Sequence, residues 1–499
     1  MKKQVWNSVT SLILQFVTIA VGLILPRLMI QAFGSAANGL VSSLTQFLSY
    51  VTLFEGGIGA VVRAALYKKF ALKDDNAVSA VLKATEKFYQ KLCVGFIGYA
   101  IVLLVIYPTF INQSFDWLYT GSMLLIILAG QIFQYCFGIT YSILLQADNK
   151  QYVPNIAGII TVFLNAIVSI FLINFGASIH IVKLVSACVF MLRPLIYQVY
   201  VRKHYNLNRK CRPDNESLRQ RSNAMAHHIA FFLHTNTDVA VITIFSTLGN
   251  VSVYSIYYLV ASCMTKLVSA VFSGAEAYLG NYLAKNGEDE TAKKFDYYTM
   301  AMISFIIVIF FTAGSMLMPF IQLYTADIHD ANYMVPALGY MLLLSEMIYS
   351  MRLPYNHMII TAGHFKQTQR GAIIEASTNI ILSVILINFI GLPGVAIATA
   401  IAMGYRTIYY LWYLSKNIIH LSLQKNLLRV MGCLLIIGLG VLCKCLFFKS
   451  DAGNYGIWIA QSIICAMVGI VMAGIYDSFF FRGELKSIMN KIKYKVCKH

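Results

Sequence analysis

The sequence predicts an all-α polytopic membrane protein: about 14 transmembrane helices in two six-helix lobes, related by an internal repeat around a central cavity, plus two C-terminal helices. Three observations predict it. Apolar stretches of spanning length follow one another, residues roughly 215 positions apart match, and the cations are sorted between alternate loops.

A spanning helix needs about 20 mostly apolar residues, and the stretches 88 to 107, 118 to 143 and 155 to 175 supply them in succession. With 58% hydrophobic residues, 12% charged residues and a mean hydropathy of +0.67, the chain has too much apolar surface for one aqueous core. Lipid is the expected solvent. The first helix follows Lys2 and Lys3 and runs past Pro26 without a small-residue cleavage site, so it is expected to remain as the first span.

The expected spans of the first half are 5 to 33, 39 to 62, 88 to 111, 118 to 143, 154 to 175 and 179 to 201. Those of the second are 223 to 247, 251 to 284, 297 to 322, 333 to 360, 368 to 389 and 392 to 415, with further helices at 426 to 447 and 455 to 478. The expected organisation is an N-lobe over 1–201, a basic cytoplasmic linker over 202–222, a C-lobe over 223–415, and two extra helices with a basic tail over 416–499.

A formal charge of +18 would suit nucleic acid if the cations formed one patch. They do not. With a cytoplasmic N-terminus the inside loops and tails hold 31 of the 39 Lys and Arg, whereas the outside loops hold Lys444 and Lys449. This positive-inside pattern places both termini in the cytoplasm. Membrane lipids are therefore the expected partners of the basic loops, and nucleic acid is not. The ten cysteines are scattered, mostly within apolar helices, and Cys443 and Cys445 have no His or acidic neighbours in sequence. Neither a disulfide framework nor a metal centre is expected from them.

The repeat is read residue by residue. At an offset of 215, Gly34, Leu44, Gly59, Tyr67 and Asp74 meet Gly249, Leu259, Gly274, Tyr282 and Asp289. At 214, Asn165, Ser169, Asn174 and Phe175 meet Asn379, Ser383, Asn388 and Phe389; at 213, Arg193 and Tyr197 meet Arg406 and Tyr410. Six helices per copy is an even number, so both copies enter the membrane in the same direction and an axis along its normal relates them. Substrate sites in such folds lie between the lobes, and rocking exposes them to alternate sides, so the duplication implies transport.

Six cations remain after the loops are counted, all inside the expected spans: Arg27, Lys183, Arg193, Lys266, Arg352 and Arg406. Each costs about 2.5 to 3.5 kcal/mol at a helix centre on insertion scales. Lys183 and Arg352 lie near span ends, where their stems are expected to snorkel to the headgroups. Arg193 and Arg406 are deeper and symmetric in the repeat, and serve either a cavity or the helix packing. Arg27 follows Pro26, which can loosen a helix that lines a pathway. Lys266 shares a face with Ser269, Ser273 and Glu276. Ser11, Gln15, Thr18 and Gly22 form one polar or small face of the first helix, and Ser42, Gln46 and Ser49 one of the second. The candidate substrate-binding residues are Arg27, Lys266, Arg193 and Arg406, since guanidinium and ammonium groups suit a phosphate or pyrophosphate.

The candidate cation-coupling residues are Asp238, Glu375, Asn379, Val395 and Thr399, of which Asp238, Asn379 and Thr399 reach similar depths near the midplane by helical rise. Carboxylate, amide and hydroxyl oxygens there would hold Na⁺ or carry H⁺, or else form a packing network. His234, one turn before Asp238, reads as its partner. No metal beyond Na⁺ and no other cofactor is expected. No catalytic motif of the H-E-x-x-H, G-x-S-x-G or P-loop kind occurs, and no long outer loop is available to hold a reacting sugar, so the chain does not read as an enzyme.

P-R-L at 26 to 28, F-G-S at 33 to 35 and F-E-G-G-I-G-A-V-V-R at 54 to 63 resemble polysaccharide flippases. These O-antigen, capsule and teichoic-type carriers belong to the multidrug/oligosaccharidyl-lipid/polysaccharide exporter superfamily, and the resemblance covers the whole chain. It implies movement of an undecaprenyl-pyrophosphate-linked oligosaccharide from the inner to the outer leaflet of a bacterial cytoplasmic (inner) membrane, with glycan polymerase and glycosyltransferases as partners. By resemblance, Arg27 and Lys266 would be cavity cations, Asp238, Glu375, Asn379, Val395 and Thr399 a Na⁺ site, and the helices at 426 to 478 would line a groove for the lipid tail. The second helix departs from the lipid II carriers, because it offers Glu55 and no arginine before Arg63; that points to another glycan unit. The rivals are a multidrug exporter of organic cations coupled to Na⁺ or H⁺, for which Glu55, Glu276 and Glu346 would speak, and a membrane polyprenyl-glycan polymerase or assembly scaffold.

Overall fold

The computed structural model describes residues 2–55, 58–72, 74–111, 114–208, 211–214, 216, 232, 236–272, 275–419, 421–447, 453–487 and 490. Among these every regular element is helical. α1 (Lys2–Phe33) runs unbroken through Pro26. After Gly34 come α2 (Ser35–Ser49), the single turn α3 (Thr52–Glu55) and α4 (Ile58–Ala71). α5 (Asp75–Ile106) continues into a π-helical turn over Tyr107–Ile111, followed by α6 (Trp117–Phe137), α7 (Ile139–Ala147), α8 (Tyr152–Asn174) and α9 (Ile179–His204). The second half holds the short α10 (Asn236–Phe245), α11 (Leu248–Phe272) and the 50-residue α12 (Ala275–Tyr324). α13 (Pro336–Thr361), α14 (Phe365–Ile390), α15 (Leu392–Asn417), α16 (Leu423–Phe447) and α17 (Tyr455–Phe480) complete the chain.

Ten of the described helices are long and apolar enough to cross a membrane: α1, α5, α6, α8, α9, α11, α12, α14, α16 and α17. The chain is a multi-pass membrane protein. Two of the expected spans outside these ten, the tenth and twelfth, are polar ones. α13 and α15 have 26 residues each, but bury Ser345, Glu346, Ser350 and Arg352, and Thr399, Arg406 and Thr407. Helices that face protein tolerate such residues because neighbours satisfy them.

Three expected bounds differ. The second span, 39 to 62, is divided into α2, α3 and α4, with residues 56 and 57 outside the described residues. The seventh, 223 to 247, ends at Phe245, and its residues before Asn236, Phe232 apart, lie outside the described residues. The eighth, 251 to 284, stops at Phe272, and α12 then runs on through the ninth. The two halves differ here, since the repeat equivalent of α12 is broken between α4 and α5. Asp74 caps α5 by accepting a hydrogen bond from the Ala77 N–H, whereas its repeat partner Asp289 lies inside continuous helix.

The chain forms two compact units: Met1–Ser255 with Ile328–Ala331, and Ile256–Asp327 with Asn332–His499. In the first, α1 packs on α8 and α2, α9 lies against α6 and α8, and α4 against α5 and α7. In the second, α12 packs on α13, α16 and α17, and α15 lies between α13 and α14. Where both surroundings are apolar, close packing replaces hydrophobic burial as the cohesive term. Gly469 shows it: a Cβ there would stand 3.0 Å from the Val308 Cα, so the missing side chain lets α17 approach α12.

Candidate functional site

The repeat is carried by side-chain contacts as well as by sequence. In the first unit Arg193 Nε on α9 donates to Thr161 Oγ1 on α8 at 2.5 Å. In the second, Arg406 Nη1 on α15 donates to Glu375 Oε2 on α14 at 3.3 Å, and its Nη2 donates to the Tyr410 hydroxyl at 2.6 Å. Thr161 and Glu375 are 214 residues apart, and Arg193 and Arg406 are 213 apart, so equivalent arginines reach equivalent positions.

The second unit adds a cation. Arg352 Nη1 on α13 donates to Glu375 Oε1 at 2.5 Å, and the three side chains of this ion triad are 8% exposed or less. The guanidinium of Arg352 lies 4.6 Å from the Tyr349 ring centroid, and that of Arg406 lies 4.5 Å from the Tyr410 ring. This corrects one expectation. Arg352 does not snorkel to a surface, because a buried carboxylate solvates it better than its stem allows the headgroups to do. Both oxygens of Glu375, a cation-coupling candidate, are held by arginines. Arg406 and the half-buried Arg193 likewise serve packing between paired helices in this conformation.

Of the remaining cation-coupling candidates, the structure brings three together. Asn379 Nδ2 donates to Thr399 Oγ1 at 2.8 Å, and the Thr399 hydroxyl donates to the Val395 carbonyl at 3.1 Å. Asp238 belongs to the first unit, where its Oδ2 accepts the Tyr254 hydroxyl at 2.6 Å. His234 lies outside the described residues, as do Ser273 and the side chain of Glu276.

Arg27 is half-buried on α1, and Lys266 is exposed on α11. Ser11 and Thr18 on the polar face of α1 are exposed too, and Gln15 is half-buried. Glu55 accepts the Tyr89 hydroxyl at 2.7 Å, and Arg63 Nη1 donates to Gln146 Oε1 at 3.0 Å. Glu346 accepts the Thr265 hydroxyl at 2.6 Å. Among the described residues no group of three His, Cys, Asp or Glu side chains is arranged to hold a metal.

No family of known sequence pattern matches the chain. An uncharacterized membrane protein of Methanocaldococcus jannaschii is 31% identical over 122 residues, which is 24% of this chain. The match spans only 23% of that relative's length. The lipid II flippase MurJ, in an inward closed conformation, superposes with a TM-score of 0.71 at 16% identity, over 96% of this chain and 100% of that one. Inward- and outward-facing multidrug resistance transporters of the MATE family, in the MOP superfamily, each superpose with a TM-score of 0.58. They are 14% and 12% identical and cover 86% and 87% of this chain. The chain has the fold of these transporters.

Two features escaped the sequence reading. Arg429, not among the six embedded cations, is fully buried: Nη1 donates to Asp296 Oδ1 at 2.5 Å, Nη2 stands 3.7 Å from Glu484 Oε1, and the guanidinium lies 3.9 Å from the Phe481 ring. Its place inside the apolar run 426 to 447 was the available signal. Asp330, in the segment between α12 and α13, binds Ser35 at the start of α2, and nothing local announces that contact.

Proposed function

We propose that the protein is an alternating-access transporter that moves a polyprenyl-pyrophosphate-linked oligosaccharide across a bacterial cytoplasmic membrane, for cell-surface polysaccharide synthesis. The observation that carries this reading is the likeness to MurJ over 96% of this chain and the whole of that one, whereas the MATE transporters leave about an eighth of the chain uncovered. Arg27 and Lys266 supply cations for the pyrophosphate. An apolar cavity of about 340 Å³ between α12, α13 and α16, lined by Phe310, Leu343, Met347, Leu434, Ile437 and Leu442 among others, suits a length of isoprenoid chain. Its lining draws on α16, one of the two C-terminal helices.

The test is thermal stability of the purified protein titrated separately with a polyprenyl-pyrophosphate oligosaccharide and with a lipophilic organic cation. A ligand of the folded state stabilises by RT ln(1 + [L]/Kd). Saturable stabilisation by the glycolipid, reduced by Arg27→Ala or Lys266→Ala, is the expected result. Stabilisation by the organic cation alone would replace this reading with a drug exporter. Normal surface glycan in cells carrying either alanine variant would remove the cations from the mechanism.

A further inference from the structure

We infer that the polar cluster on α14 and α15 holds no alkali cation, because arginines of the chain itself already neutralise its carboxylate. The residues do not fit the Na⁺ site that the family resemblance suggests, and three observations say why.

The first is charge. Glu375 faces Arg352 at 2.5 Å and Arg406 at 3.3 Å, so the triad carries a surplus positive charge. It stands one helical turn from Asn379, by i,i+4 spacing on α14, and two turns from Thr399, by i,i+7 spacing on α15. The Tyr349 and Tyr410 ring faces, 4.6 and 4.5 Å from the two guanidiniums, stabilise that surplus inside the protein. A sodium ion brought beside Thr399 would meet net repulsion at low dielectric.

The second is donor direction. Asn379 turns its amide N–H, not its oxygen, toward Thr399, and the Thr399 proton is committed to the Val395 carbonyl. That leaves Asn379 Oδ1 and Ser383 Oγ as neutral buried oxygens without a hydrogen-bond partner, and two neutral oxygens beside a surplus positive charge do not hold a sodium ion.

The third is the repeat. Asn165, Ser169 and Ser186 in the first unit correspond to Asn379, Ser383 and Thr399 at offsets of 214 and 213. There the Ser169 hydroxyl lies 3.4 Å from both Asn165 Oδ1 and Ser186 Oγ, and this hydroxyl contact across α8 and α9 has no carboxylate at the Glu375 position, only Thr161. In the second unit the equivalent atoms, Ser383 Oγ and Asn379 Oδ1, are buried and each lacks a hydrogen-bond partner. The same residue types recur in both halves, so their presence does not depend on a carboxylate, and small polar side chains suit the packing of paired helices. Arg352 is what sets the second half apart: at an offset of 214 or 215 it falls on Gly138 or Phe137, neither charged. The second unit therefore carries its cation covalently, and the tie from α13 to α14 and α15 persists whatever ion is outside.

Only the consequence, that transport draws no Na⁺ coupling from this cluster, rests on the transporter reading. The test needs no substrate. Full-length protein in detergent is melted in NaCl, KCl and N-methylglucamine chloride at equal ionic strength, and radioactive Na⁺ binding is measured alongside. Wild type is expected to show no Na⁺-specific shift, or one that Thr399→Val leaves unchanged because it arises elsewhere. A saturable Na⁺-specific shift abolished by both Thr399→Val and Glu375→Gln overturns the proposal. The double variant Arg352→Gln/Arg406→Gln frees Glu375 and is expected to acquire Na⁺-specific stabilisation; a folded double variant without it also overturns the proposal. Should the double variant not fold, the Thr399→Val comparison decides alone. Failure here leaves the glycolipid reading standing, and failure of glycolipid binding leaves this result standing.

Discussion

Asp330 holds Ser35 by both carboxylate oxygens: Oδ2 accepts the backbone N–H and Oδ1 accepts the hydroxyl, each at 2.6 Å. Ser35 is the first residue of α2, and its N-cap, Gly34, has no side chain to satisfy the free N–H groups. A carboxylate from 295 residues away does the capping, and the positive end of the helix favours its charge. Gly34 has φ +85°, and a Cβ there would lie 3.1 Å from Asp330 Oδ2, so glycine serves both the turn and the approach. Asp330 sits in Ile328–Ala331, which belongs to the first unit while the chain on either side belongs to the second.

Asp330→Ala is therefore expected to destabilise the first unit by about 1 to 2 kcal/mol, the usual size of a lost N-cap. Asp330→Asn should lose less, because its amide oxygen still accepts one of the two bonds. Hydrogen exchange reads this directly: the Ser35 amide should exchange faster in the alanine variant. Unchanged exchange would show that the carboxylate does not hold the helix end.

Gly39, one turn further along α2, meets the backbone of Leu248 at the start of α11, where an added Cβ would collide with the Leu248 carbonyl oxygen. Polar pairs flank this approach: Asn38 Nδ2 donates to Ser252 Oγ at 2.8 Å, and the Thr243 hydroxyl donates to Ser43 Oγ at 2.9 Å. Gly39→Ala should cost about 1 to 3 kcal/mol by overpacking and disturb both pairs. Gly95→Ala, with nothing within 4 Å of the new methyl, should be neutral or slightly stabilising. Equal melting temperatures for the two variants would contradict the close approach of α2 and α11.

Arg429 is fully buried against Asp296, with a side-chain exposure of 0% against 18%. Removing Arg429 takes away the shorter of two cation contacts of Asp296 and leaves it Lys425 at 3.6 Å, so Arg429→Ala should destabilise by about 3 kcal/mol. Asp296→Leu with Arg429→Met, which replaces both charges by apolar groups, should recover much of that loss. The comparison is a denaturation series on the two variants; a double variant no better than Arg429→Ala would place the worth of Arg429 in its packing on Phe481 instead.

At the end of α9, outside the membrane span, Tyr205 donates to Asp148 Oδ2 at 2.6 Å, and Lys150 Nζ lies 2.7 Å from the same oxygen. Burial, then the hydrogen bond and charge of Asp148, raise the Tyr205 phenol well above its ordinary value. A raised folded-state value means that the contribution to stability is complete below the unfolded phenol's pKa of about 10 and is lost as pH climbs above it. Tyr205→Phe should cost about 1.5 kcal/mol or more near neutral pH, as for a hydrogen bond to a charged group. The gap between wild type and Tyr205→Phe should narrow from pH 9 toward 11; a gap that widens reverses the sign and with it the assignment of the bond.

Much of the architecture was legible in the chain. α8 and α9, and α14 and α15, were visible as apolar runs because helix length and hydropathy are local properties. The repeat was visible because equivalent residues kept their type, and Arg193 and Arg406, matched by spacing alone, do bind equivalent positions, Thr161 and Glu375. Of the candidate site, helical rise put Asp238, Asn379 and Thr399 at similar depths; Asn379 and Thr399 meet, on helices joined by one short turn, whereas Asp238 lies in the first unit and bonds Tyr254.

What the sequence by itself determined is the set of helices, their duplication, and the fact that certain charges would lie in them. Only the tertiary structure decided whom those charges meet. Glu375 looked free for a cation until α13 brought Arg352 to it, Arg429 looked solvated until α12 brought Asp296, and Asp330 looked like a loop acid until it capped α2. The reason is physical. The free energy that makes a segment helical and membrane-embedded is summed along the segment, whereas that of a buried ion is set by the one or two groups within hydrogen-bonding distance, which helix packing delivers from anywhere in the chain.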